Sequence, residues 1–83
     1  MIQDISNSVG TLVVAGERHA GLRLREAVVL WSRMDARARL RAYFRSDRLL
    51  SVPMFGPPRR AFSGYDFERL GEVLGVRMAR RQP

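Results

Sequence analysis

A proline- and glycine-rich stretch in the second half of the chain places the strongest limit on its secondary structure. Pro53 disfavours helical geometry at Val52, and a Gly-Pro-Pro triplet at positions 56–58 is incompatible with a continuous helix or strand. We therefore predict a loop over residues 51–64, which separates the regular elements on either side. A loop of this length is unusual in a compact domain and is typical of a functional or poorly ordered segment.

The length and composition predict one small domain covering residues 1–83. A chain of 83 residues buries only about 60% of the surface that its unfolded form exposes. There is no cysteine, which excludes disulfides and thiolate zinc sites, so stability must come from packing or association. The N-terminus does not resemble a signal peptide, and no apolar run approaches the ~20 residues that span a bilayer. We expect a cytoplasmic protein without membrane contact.

Two β-forming runs predict an N-terminal hairpin. The first is Thr-Leu-Val-Val at 11–14, and the second covers 22–31, after a glycine-containing loop. The second run could also begin a long helix. The adjacent β-branched residues Val28 and Val29, and a capping box at 32–35, favour a strand that ends before a helix begins.

Two helices are predicted after the hairpin. The main helix, over 33–48, has an apolar face at helical spacing, formed by Ala36, Leu40, Tyr43 and Phe44. A shorter helix over 65–74 follows a capping box that begins at Ser63, and Gly75 is expected to end it in a left-handed conformation. The predicted class is α+β, with the hairpin packed on the main helix, and a mostly α protein is the alternative.

Arginine accounts for every basic residue other than the single histidine, and the net charge is +7. Five arginines recur along the predicted main helix, within an arc of roughly 120° and over roughly 22 Å: Arg33, Arg37, Arg41, Arg45 and Arg48. Like charges at i, i+4 are unfavourable by about 0.2–0.5 kcal/mol per pair, and few acidic residues lie nearby to compensate them. This stripe is therefore expected either to meet an anion or to remain a solvated face.

Guanidinium groups bind phosphate oxygens in a bidentate manner, so the stripe predicts binding to the backbone of a nucleic acid, either DNA or RNA. Arg59 and Arg60, after the paired prolines, could extend this basic surface. The absence of lysine has a second explanation, because a GC-rich genome favours arginine codons. That bias explains the choice of residue but not the excess of positive charge.

A protein–protein interaction or inhibitor module is the alternative function, with docking on an acidic surface of a larger, nucleic-acid-processing assembly. Its candidate docking residues are Met54, Phe55 and Phe62, which are apolar although the segment is predicted to be a loop. The same loop could mediate homo-oligomer formation. These side chains could equally fold back onto a small core.

We expect a non-catalytic protein without cofactor or metal. His19 is the single histidine, and one histidine without cysteine makes a poor metal site. No nucleophile and base are brought together by sequence spacing, and the glycines match neither a dinucleotide-binding nor a phosphate-loop motif.

Overall fold

The computed structural model describes residues 5–76, in which two hairpins alternate with helices. After a 3-10 turn at Ile5–Asn7, the elements in chain order are β1 (Val9–Val14), β2 (Glu17–Arg23), α1 (Leu24–Ser32), α2 (Ala36–Arg41), β3 (Tyr43–Leu50), β4 (Arg59–Ser63) and α3 (Gly64–Leu74). All neighbouring strands are antiparallel, and the sheet order is β2-β1-β3-β4. The predicted α+β class, with an N-terminal hairpin and helices, is confirmed.

The chain uses one local motif twice, a hairpin whose second strand runs directly into a helix. At the start of α1 the backbone N–H of Arg23 donates to Glu26 Oε1 at 2.8 Å. At the start of α3 the N–H of Ser63 donates to Asp66 Oδ2 at 2.9 Å. Each carboxylate lies in the first helical turn, where the helix dipole favours negative charge. The two hairpins meet along β1 and β3, the central strands.

The first hairpin is tighter than predicted. Its turn consists of Ala15 and Gly16, both with positive φ (48° and 86°), which is typical of a two-residue type I′ turn. The register shifts between Gly10 and Leu12, and Gly21 has a φ of 74° on the opposing strand, as at a β-bulge. Most of the stretch expected to be a loop therefore belongs to β2.

The core lies between one face of the sheet and the helices α1 and α3. The strands contribute Leu12, Phe44 and Phe62, which are fully buried, and the helices contribute Leu24, Ala27, Val28, Trp31, Phe67 and Leu70. The rings of Trp31 and Phe67 stack with centroids 5.3 Å apart, joining the two helices. A Cβ at Gly10 would lie 2.6 Å from Phe44 Cζ, so glycine allows the close packing of β1 against that ring.

The predicted strand over 22–31 is wrong beyond Arg23, where α1 begins. The buried residues of this segment, Leu24, Ala27, Val28 and Trp31, are spaced i, i+3, i+4 and i+7, which is the period of a helix. Burial of this face outweighs the modest helix-disfavouring effect of the β-branched pair.

The predicted main helix over 33–48 is also wrong. Only α2 is helical in that range, and Ala42 has an extended backbone (φ −75°, ψ 144°) that leads into β3. In the strand, Phe44 and Ser46 are buried while Tyr43 and Arg45 are exposed, so the true period is two. Pairing of β3 with both β1 and β4 outweighs the local helical spacing.

The capping signals before this segment also have different roles from those predicted. Ser32 closes α1, its Oγ donating to the Val29 carbonyl oxygen at 2.7 Å. Asp35 is itself the N-cap of α2, and its Oδ1 accepts from the Ala38 N–H at 2.8 Å. One predicted capping box is therefore the end of one helix and the start of another.

The later part of the chain agrees better with prediction. The helix expected at 65–74 is observed as α3, and Gly75 ends it with a φ of 68°. The loop expected over 51–64 contains β4 in its last part, so that prediction is wrong from Arg59 onwards.

Candidate functional site

The five-arginine stripe does not form one surface of a helix. Arg33 is the C-cap of α1, Arg37 and Arg41 lie on α2, and Arg45 and Arg48 lie on β3. These last two are separated by an irregularity in the pairing of β3 with β4, so they do not continue one regular row of side chains. All five are exposed, but the chain distributes them over three elements.

Arg39 has a structural role. Its guanidinium lies 4.8 Å from the centroid of the Trp31 ring, and its Nη2 donates to the Ser32 carbonyl oxygen. In return, Trp31 Nε1 donates to the Arg39 carbonyl oxygen at 3.1 Å. These contacts attach α2 to the end of α1 and leave Arg39 only partly accessible.

Arg59, one of the two predicted auxiliaries, also stabilises the fold. Its Nη2 lies 2.5 Å from Asp66 Oδ2, and its guanidinium lies 5.0 Å from the ring centroids of both Phe55 and Phe62. The neighbouring Arg60 is exposed. Of the auxiliary pair, only Arg60 therefore presents a free guanidinium group.

The remaining arginines between residues 5 and 76 are exposed and have no carboxylate within 4 Å. Several of the acidic groups are occupied elsewhere: Glu26, Asp35 and Asp66 cap helices, and Glu17 lies 3.7 Å from His19. The excess of positive charge is thus a set of unneutralised guanidinium groups at the surface. They are Arg18, Arg23, Arg25, Arg33, Arg37, Arg41, Arg45, Arg48, Arg60 and Arg69.

The sheet has an open face opposite the core, which no helix within residues 5–76 covers. On this face Val13 is paired with Arg18 on one side and with Tyr43 on the other, and Thr11 is paired with Arg45. A shallow cavity of about 320 Å³ lies there, lined by Thr11, Val13, Arg18, Ala20, Tyr43 and Arg45. We call these six residues the open-face site.

Tyr43 lies on β3 at one corner of the open-face site and is 42% exposed. From the strand spacing, Arg18 lies about 10 Å away across two strands, and Arg45 about 7 Å away along β3. The alternation of β3 also places Asp47 on this face, next after Arg45. The site therefore combines an aromatic ring with one arginine across the sheet from it and a second arginine next to it along the same strand.

The predicted docking loop is only partly available. Phe62 is fully buried, and Phe55 is partly buried because it packs edge-to-face against Phe62 with centroids 5.7 Å apart. Met54 is 79% exposed and has a φ of 71°, in the left-handed region. Of the three predicted docking residues, Met54 alone is displayed to solvent.

A second cavity, of about 230 Å³, lies between α2 and α3. It is lined mainly by apolar groups, and Leu40 (63% exposed) and Tyr65 (82%) border it. Gly64 makes this close approach of the helices possible, because a Cβ there would lie 2.6 Å from the Arg39 carbonyl oxygen. Arg39 and Glu68 line the same groove, but the Arg39 guanidinium is engaged with Trp31 and Ser32, so the groove is less suited to an anion than the open face.

The sequence analysis did not place Arg18 or Tyr43 in a candidate site. Arg18 fell in the predicted hairpin loop, and Tyr43 was assigned to the apolar face of a helix. The available signal was the alternation of Tyr43, Arg45 and Asp47 with Phe44 and Ser46. That pattern has the period of a half-buried strand.

Comparison with known proteins identifies no relative. The chain matches no protein family, no curated protein and no solved structure.

Within residues 5–76, no three acidic or histidine side chains are grouped so that they could hold a metal ion. None of the helices in the same part of the chain has the length and apolar character needed to cross a membrane.

Proposed function

We propose that the protein binds nucleic acid without catalysis, through contacts between the open-face site and the phosphate backbone. The observation that supports this most directly is that Tyr43 shares the open face with two exposed arginines, Arg18 and Arg45, which make no ion pair within residues 5–76. Guanidinium groups that have no internal carboxylate are available to bind phosphate in a bidentate manner. Phosphate contacts supply affinity without sequence information.

The open face suits an extended polyanion better than the predicted stripe does. Four strands at the usual spacing form a surface about 14 Å wide, and this surface is continuous across β2, β1, β3 and β4. The strand pairing fixes the backbone positions from which Arg18 and Arg45 project. Binding of this kind weakens steeply as salt rises, because each neutralised phosphate releases counterions.

The test is a salt series of binding measurements by fluorescence anisotropy, with a labelled 20-nucleotide single strand and a labelled duplex. The double variant R18E/R45E should weaken binding by about tenfold or more, and reduce the slope of log affinity against log salt by about two. The matched control is R25E/R69E, which makes the same charge change on α1 and α3, at the other side of the molecule. This control should bind with close to the unmodified affinity.

Two results would contradict the proposal. Equal weakening by the two double variants would mean that overall charge, and not the open face, determines binding. Absence of binding to either ligand at low salt would exclude nucleic acid as the partner.

The protein-docking alternative is supported by a different set of residues. Exposed Met54 and the groove bordered by Leu40 and Tyr65 offer apolar surface away from the open-face site. Under this alternative the partner is an acidic protein surface or a second copy of the chain, and nucleic acid does not bind. The same titration therefore distinguishes the two functions.

A further inference from the structure

We infer that the nucleic-acid ligand is single-stranded and that one of its bases stacks on the ring of Tyr43. This inference rests on the proposed function and names the ligand class of the same site. The observation behind it is an aromatic residue, 42% exposed, on a central strand of an otherwise uncovered sheet face. An exposed aromatic side chain on such a surface is suited to stacking with an unpaired base.

The neighbours of Tyr43 leave its ring accessible. Its cross-strand partners are Val13 and Ser63, and neither is large enough to cover an aromatic ring. Its backbone is held on both sides, because β3 pairs with β1 and β4 at this position. The ring is therefore presented from a rigid support, which reduces the entropy that is lost when a base binds.

The surrounding charges provide phosphate contacts near that base. By strand geometry, Arg18 lies about 10 Å from Tyr43 across the sheet and Arg45 lies about 7 Å away along β3, so a nucleic-acid single strand that stacks a base on Tyr43 has an arginine within reach in each of these two directions. In a duplex the bases are paired and stacked on one another, so only phosphates would reach this surface. A duplex would therefore make no use of the tyrosine.

The second tyrosine in the chain provides a matched control. Tyr65 is more exposed, at 82%, but it lies on α3 beside the groove that Glu68 also lines. The guanidinium group of that groove, Arg39, is engaged with Trp31 and Ser32, so Tyr65 lacks the exposed arginines that lie near Tyr43. We expect Tyr65 to take no part in binding, although its ring is chemically the same.

The test compares three ligands of equal length: a 15-nucleotide oligothymidine, an abasic oligomer with the same phosphates, and a duplex. The unmodified protein should bind the thymidine oligomer about fivefold to a hundredfold more tightly than the abasic one. Y43A should lose this preference and bind the thymidine oligomer and the abasic oligomer about equally. Y43F and Y65A should keep it.

Each outcome has a defined meaning. If Y43A keeps the preference, or if the unmodified protein binds the abasic oligomer equally well, the inference is overturned and the proposed function stands. If none of the three ligands binds, the proposed function itself is overturned. Y43L, which keeps apolar bulk on the strand without an aromatic ring, replaces Y43A if that variant unfolds, and should show the same loss.

Discussion

The two faces of the sheet use the same strands for different purposes. Along β3, Phe44 (0% exposed) and Ser46 (2%) face the helices, while Tyr43 and Arg45 lie on the open side. The covered face contains the side chains whose burial stabilises the fold. The open face carries an aromatic ring and unpaired guanidinium groups. Because the two sets alternate residue by residue, single substitutions can separate stability from the proposed binding.

The arginines divide in a similar way. Arg39 and Arg59 pack on aromatic rings and bond to the chain, so they belong with the stabilising side chains. The exposed arginines make no ion pair within residues 5–76. The number of arginines in the sequence therefore overstates the number that an external anion can contact.

The largest expected difference in stability loss is between substitutions at two neighbouring residues of β3. F44A should lower the free energy of unfolding by about 3–5 kcal/mol, because it removes a fully buried ring from the core. Y43A should lower it by less than about 1 kcal/mol, because the ring is half exposed. Urea unfolding monitored by the fluorescence of the single, buried Trp31 measures both.

This comparison has its own control. If F44A is unfolded without denaturant, F44L retains most of the apolar volume and should remain measurable, with a smaller loss. Equal losses for the substitutions at Tyr43 and Phe44 would contradict the assignment of the two faces.

A smaller difference in stability loss is expected between substitutions of two adjacent arginines of β4. R59A should lower the free energy of unfolding by about 1–2 kcal/mol, because it removes one partly exposed ion pair and two aromatic contacts. R60A should leave stability within about 0.5 kcal/mol, because Arg60 is exposed and makes no ion pair within the described residues. Thermal unfolding of both variants measures the two stability losses. A larger loss of stability for R60A than for R59A would contradict the stabilising role assigned to Arg59.

The smallest expected effect concerns the acidic residue on the open face. D47N should raise the affinity for a single strand by about twofold at low salt, because it removes a negative charge near Arg45. The gain should disappear as salt rises and the remaining electrostatic interactions are screened. The control is E72Q, which changes an exposed acid on α3 and should not change the affinity. D35N is not suitable as a control, because Asp35 caps α2.

Several features could be predicted because they depend on residues close together in the sequence. The helix α3 was predicted from the capping box at Ser63 and from Gly75, both of which act within a few residues. The Gly-Pro-Pro triplet at 56–58 was correctly excluded from helix and strand. The helical spacing of four apolar residues in α1 was also visible in the sequence, at Leu24, Ala27, Val28 and Trp31. The prediction was wrong there because the adjacent β-branched valines favoured a strand.

By itself, the sequence determined the α+β class, the C-terminal helix and the excess of arginine over acidic residues. Only the tertiary structure decided that residues 43–50 form a strand, since arginines at i and i+4 are compatible with a helix until non-local pairing is counted. It also decided which arginines are free and that Arg18, Tyr43 and Arg45 share one face. These residues meet through hydrogen bonds between strands distant in sequence, which no local pattern specifies.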